Sequence, residues 1–100
     1  MLTKEKIVEI LREKYPYLIA RYGVKRLGLF GSYARGEQTE DSDVDLVAEF
    51  ERPIGLNFIE FAEYIENILG KKANILTPEG VRRITVQKIA RNIEQSIIYV

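Results

Sequence analysis

The chain has 100 residues, 46% hydrophobic and 30% charged, which suits one ordered domain with a buried core and excludes a disordered tail. Fifteen basic and fifteen acidic residues cancel, so no global field draws the protein to DNA, RNA or an anionic membrane, and direct nucleic-acid binding is not expected. Cysteine and histidine are both absent, which removes disulfides, thiolate sites, the commonest zinc ligand and the usual neutral-pH acid/base, leaving carboxylates, hydroxyls, Lys, Arg and oxygen-held metals for any chemistry.

No apolar run approaches the ~20 residues of a membrane span, and the charged start Thr3-Lys4-Glu5-Lys6 lacks a signal core. A cytoplasmic protein is expected. Thr3 can cap a first helix in which Ile7, Ile10, Leu11 and Leu18 recur at helical spacing, with Pro16 interrupting it and Gly23 closing the segment. Val24 to Phe30 is short and apolar and ends at Gly31, the pattern of a strand feeding a tight turn. Residues 32–42 read as a loop with one helical turn near Tyr33 to Arg35. From Asp43 to Phe50 the chain alternates, with Val44, Leu46, Ala48 and Phe50 on one face and Asp43, Asp45, Val47 and Glu49 on the other.

After Pro53 and Gly55, a helical stripe of Leu56, Ile59, Phe61, Ala62, Ile65, Ile68 and Leu69 runs to Gly70. Ala73 to Leu76 is a third strand. Val86, Ile89, Ala90 and Ile93 return at helical spacing, and residues 96–100 either finish that helix or add an edge strand. The expectation is a single α/β (α+β) domain over residues 1–100, a small mixed sheet with helices packed mainly on one face.

The chemistry concentrates between Leu27 and Val47. Carboxylates at i and i+2 on a strand, Asp43 and Asp45, point the same way with Cβ atoms about 6–7 Å apart, so both reach one hard cation or a close pair. Mg²⁺ takes few carboxylates and fills its shell with water and phosphate oxygens. A Gly31-Ser32 turn beside the pair offers phosphates a closely approaching backbone, free N–H groups and a hydroxyl. Other motifs fit less well. Asp41-x-Asp43-x-Asp45 opens like a calcium loop, but Leu46 and Arg52 stand where Gly and Glu are needed. Gly31-x₄-Gly36 is followed by Glu37-Gln38 in place of the Lys-Ser/Thr of a P-loop.

Gly31-Ser32, ten residues, then Asp43-x-Asp45 resembles the signature of the nucleotidyltransferase superfamily that includes DNA polymerase β. Gly31-Ser-Tyr-Ala-Arg-Gly-Glu37 and Asp41-Ser-Asp-Val-Asp-Leu-Val47 are similar to its minimal branch, the small proteins paired with HEPN-fold toxins; Leu76-Thr77-Pro78-Glu79 also resembles the branch. The resemblance implies a nucleotidyltransferase core. Gly31 and Ser32 then contact the triphosphate, Asp43 and Asp45 carry one or two Mg²⁺ ions and the catalysis, and AMP passes from ATP (or another nucleoside triphosphate) to a hydroxyl of a HEPN-fold toxin. Such a chain is its toxin's antitoxin.

The chain departs from the family at one position, where Ala73-Asn74-Ile75 stands in place of Val-Asp-Leu. Asn74 takes the third metal-ligand position with a neutral amide, and Glu49, about 13 Å along the strand from Asp45, is too far to replace it. Two functions follow: an adenylylating antitoxin, or a non-catalytic antitoxin that acts by binding, with a degenerate nucleotide site. Arg35 has two readings, contact with phosphate or acceptor and pairing with Glu37 or Asp41. Tyr33 reads as packing or rim, with base stacking the sharper alternative. Arg82, Arg83, Lys88 and Arg91 read as a solvated basic helix face, with partner docking the alternative.

Overall fold

In the computed structural model, which describes residues 2–78 and 97–100, Thr3 starts the first helix as the sequence predicts. Its Oγ1 accepts the Lys6 N–H at 3.2 Å, satisfying one of the donors that a helix start leaves orphaned. Helix α1 spans Lys4–Tyr22 and ends at Gly23, whose φ of 70° closes the last turn through an N–H donated to the Ile19 carbonyl. Pro16 lies inside α1 and does not interrupt it. A proline within a helix removes one hydrogen bond, here the one to the Arg12 carbonyl, at a cost of ~3 kcal/mol. Pro16 and Arg12 are both on the exposed side, where water can serve that carbonyl. Ile7 and Leu11 before it and Leu18 and Tyr22 after it all bury in the core, so tertiary packing carries the helix through.

Strand β1, Val24–Phe30, pairs antiparallel with β2, Val44–Phe50. A register shift between Val24 and Arg26 brings Val24 and Leu27, three residues apart, into the same core. The five-residue helix α2, Gly31–Arg35, joins the strands; it starts two residues before the predicted turn. Asp43 stands just outside β2. Helix α3 spans Asn57–Leu69, and β3, Ala73–Leu76, pairs parallel with β2. The chain's end supplies β4, Ile98–Tyr99, antiparallel to β1, resolving the choice at the tail toward an edge strand. The sheet order is β3-β2-β1-β4, a mixed sheet with α1 and α3 sharing one core with it.

That core joins Ile7, Leu11 and Leu18 of α1 to Leu27 and Leu29 of β1, Val44, Leu46 and Ala48 of β2, and Phe61, Ile65 and Leu69 of α3. The α3 stripe differs from the predicted one, because Leu56 and Ile59 are exposed at 87% and 60%. At 100° per residue they face away from Phe61, Ile65 and Leu69. Phe58 and Tyr64 take their place, in ring contact with Phe50, Phe61 and Tyr22. On the opposite sheet face Phe30 and Val47 form a second small cluster with Leu76 and Ile97. Gly28 sits beneath it, and a Cβ there would collide with Ile97 and Tyr99, so β4 closes onto a strand residue without a side chain. The predicted helix through Val86 to Ile93 and the basic set Arg82, Arg83, Lys88 and Arg91 lie outside the described residues. No helix among the described residues is long and apolar enough to cross a membrane.

Candidate active site

The sheet face opposite the main core brings three strands together in one row. Phe30 at the end of β1 is the cross-strand partner of Asp45, and Asp45 is the parallel-register partner of Asn74. Directly opposed residues share a face. The Asn74 amide Nδ2 donates to Asp45 Oδ1 at 3.2 Å.

Immediately after Phe30 the chain turns at Gly31 with φ 77°, a left-handed conformation that costs other residues roughly 1–2 kcal/mol. Conformation is only half of the requirement. A Cβ on Gly31 would overlap Asp45 Oδ2 and lie 3.0 Å from its Cγ. The missing side chain is therefore what lets the backbone turn lie against the carboxylate. Ser32 follows, half-buried, with its carbonyl accepting the Glu37 N–H at 2.9 Å and its hydroxyl engaged by no described side chain. Tyr33 is 1% exposed and belongs to the core, which is the packing reading; its ring has no face open for a base to stack on.

The approach to β2 is fixed by its own short polar residues. Ser42 Oγ accepts the Thr39 N–H at 2.9 Å and Thr39 Oγ1 accepts the Asp41 N–H at 3.3 Å, the local side-chain bonding typical of turns. Lys71 Nζ donates to the Glu40 carbonyl, and the Val44 N–H donates to the Lys72 carbonyl at 2.9 Å. Asp43 is thereby held at the mouth of the row, two residues before Asp45. Both carboxylates are half-buried.

Burial pushes the Asp45 carboxyl above its ordinary value; the Asn74 hydrogen bond lowers it, the Asp43 charge raises it further, and Arg35 lowers it. The net direction is upward, chiefly because burial removes water from the carboxylate, with the like charge on Asp43 adding to it. Arg35 forms the ion pair with Glu37, Nε to Oε2 at 3.1 Å, yet its charge is also felt at Asp45, and half of its side chain remains exposed.

Among the described residues no three acidic, His or Cys side chains cluster. Glu49 instead pairs with Arg26 at 3.7 Å, farther along β2. The donor set is thus two half-buried carboxylates two residues apart, beside a turn kept open by a glycine. That fits a hard divalent cation that completes its shell with water and substrate oxygens. Lys72, just before β3, is a residue that the sequence pattern did not single out. It is an exposed cation whose backbone runs beside Asp43, and the double lysine before the third strand was the signal available.

The structure thus presents an α+β protein with a mixed sheet, a carboxylate pair at the start of one strand and a glycine turn closing its neighbour. The sequence profile of the nucleotidyltransferase domain matches residues 4–100. Over 101 residues the chain is 41% identical to the protein adenylyltransferase MntA of Thermococcus cleftensis, covering all of this chain and 98% of the relative. A solved structure described as a candidate minimal nucleotidyltransferase superposes with a TM-score of 0.74 at 31% identity, over 97% of this chain and 95% of the other. A toxin–antitoxin structure with AMP-PNP shares the fold at a TM-score of 0.62 and 20% identity, over 98% of this chain and 72% of that one. The chain belongs to the nucleotidyltransferase domain family, as a minimal nucleotidyltransferase.

Proposed function

We propose that the protein transfers AMP from ATP to a hydroxyl of a partner protein, a cytoplasmic HEPN-fold toxin, and so serves as its antitoxin. The observation that carries the reading is the Asp45–Asn74 pair of neighbouring strands set against the Gly31 turn, with Asp43 at its mouth. Asp43 and Asp45 hold Mg²⁺. Gly31 and Ser32 lie against the triphosphate, and Arg35 reaches a phosphate or the acceptor from its exposed position. In the transfer the acceptor oxygen bonds to the α-phosphorus, the bond from that phosphorus to the β-phosphate bridge breaks, pyrophosphate leaves, and the hydroxyl proton passes to solvent. The metal, when bound, neutralises charge at the phosphates, which is what this chemistry chiefly needs in a chain without histidine. The name of the T. cleftensis relative and the nucleotide analogue in the toxin–antitoxin structure support the same reading.

A second reading, neutralisation by binding alone, is favoured by one observation: Asp43 and Asp45 have no third carboxylate beside them among the described residues. One experiment separates the two. The chain is co-purified with the HEPN protein of its own operon and supplied with Mg²⁺ and ATP labelled at the α-phosphate. Label on the partner supports transfer; a stable, silenced and unlabelled complex supports binding alone, and failure to form a complex defeats the antitoxin reading, leaving a free-standing transferase. Asp43→Asn with Asp45→Asn should abolish labelling. It should also remove the thermal shift produced by ATP with Mg²⁺, which at 100-fold over Kd is worth about 2.7 kcal/mol, on the order of 10 °C for a domain of this size.

A further inference from the structure

The Asn74 side chain makes one hydrogen bond among the described residues, and its direction is informative. An ionised carboxylate only accepts, so the group that faces Asp45 at 3.2 Å is the amide NH₂, which has no lone pair to offer a cation. To ligate a metal shared with Asp45, the amide would have to turn over and present its oxygen, giving up the bond. Asp45 is meanwhile confined on its other side, where Oδ2 fills the space that a Gly31 side chain would need. One oxygen is gripped by β3 and the other abuts the turn after β1, so the plane of the carboxylate is set by both neighbouring strands.

We infer that Asn74 is a positioning residue: its amide donates to Asp45 and fixes that carboxylate for the cation, and it contributes no ligand of its own. The inference rests on the assignment of Asp43 and Asp45 as the metal pair. It accounts for why an amide is workable here. A carboxylate at position 74 would face Asp45 at about the same 3.2 Å as a like charge, stable only with a further cation between them, whereas an amide lets the pair stand organised before metal arrives. Hydrogen-bond partners of metal ligands typically contribute 10–100-fold to metal affinity.

The probe is Mn²⁺, titrated in the presence of AMP-PNP with free Mn²⁺ read by EPR, on the native chain and Asn74→Ala. The native chain should take up Mn²⁺, and Asn74→Ala should bind it about 10-fold more weakly with an unchanged far-UV spectrum, Asn74 being exposed. A second readout needs no substitution. In ¹⁵N-labelled native protein the Asn74 side-chain NH₂ resonances should keep their hydrogen-bonded positions when Mg²⁺ and AMP-PNP are added. Equal Mn²⁺ affinity in the two proteins, or NH₂ resonances that move to the unbonded range on adding Mg²⁺, overturns the positioning role while leaving the metal pair standing. A native chain that takes up no Mn²⁺ overturns both, and is recognised before the variant is compared.

Discussion

Asp45 and Glu49 lie four residues apart on the same strand and the same sheet face, and the fold treats them in opposite ways. Glu49 meets Arg26 across the β1–β2 ladder at 3.7 Å, in a pair whose side chains are 34% and 58% exposed. Asp45 is set among Phe30, Gly31 and Asn74, near a like charge on Asp43 and with Arg35 already paired to Glu37. One carboxylate is neutralised in solvent, where it matters little. The other is partly desolvated beside a like charge, a state that costs stability unless positive charge is supplied. Strand chemistry is the same at both ends, so what distinguishes the site is the turn after β1 and the parallel strand beside it.

The largest effect should come from closing the space beside Asp45. Gly31 and Gly36 have nearly the same backbone, φ 77° and 73°, but a Cβ at Gly36 meets nothing within 4 Å. Alanine at either position should lower Tm by about 5–15 °C through the left-handed backbone. Only Gly31→Ala displaces the carboxylate, and a displacement of ~1 Å at a reacting centre costs on the order of 100-fold. AMP transfer and the ATP-dependent thermal shift should therefore collapse in Gly31→Ala and survive in Gly36→Ala. Equal retention in both would mean that contact with Gly31 does not set the Asp45 geometry.

The parts of this arrangement that a reader of the sequence could find are those made by neighbours along the chain. The Thr3 and Gly23 caps, the turn at Gly31 and the alternation from Val44 each have a local cause, and so each was legible. Pro16 misled because a helix interior normally rejects proline, and the compensation is packing against a sheet that forms far away in sequence. Leu56 and Ile59 misled because apolar character was counted before angular position, and the aromatic ring contacts of Phe58 and Tyr64 were invisible. Val47, on the face read as polar, is 4% exposed because Phe30, Leu76 and Ile97 cover it. The likeness of residues 73–75 to a family motif pointed to Asn74, but which atom of its amide faces Asp45 is a matter of parallel register.

A smaller effect concerns the charge itself. Because burial raises the Asp45 carboxyl, the folded chain keeps this proton to higher pH than the unfolded chain does. Between the ordinary carboxylate value, about 4, and the raised one, the native state binds more protons than the unfolded state, so stability falls as pH rises through that window. Asp45→Asn removes the cost. In EDTA the variant should melt above the native chain at pH 7, and the gap should close as pH approaches 4. A variant that melts lower at pH 7 would show that the carboxylate's bond to Asn74 outweighs its burial, reversing the contrast with Glu49.

The smallest effect belongs to the other end of the strand. Exposed ion pairs contribute about 0–1 kcal/mol, and the Arg26 guanidinium also lies 5.3 Å from the Tyr99 ring centroid, so Arg26→Ala removes two weak contacts where Glu49→Gln removes one. A double-mutant cycle on Arg26→Ala and Glu49→Gln should give a coupling of about 0.5 kcal/mol or less, shrinking with added salt because the pair is solvated. The ATP-dependent thermal shift should be the same in all four proteins of the cycle. Loss of that shift in Glu49→Gln would carry more weight than any stability change. It would mean that nucleotide binding depends on the charge at Glu49 as well as on Asp43 and Asp45, and the two ends of β2 would then belong to one site.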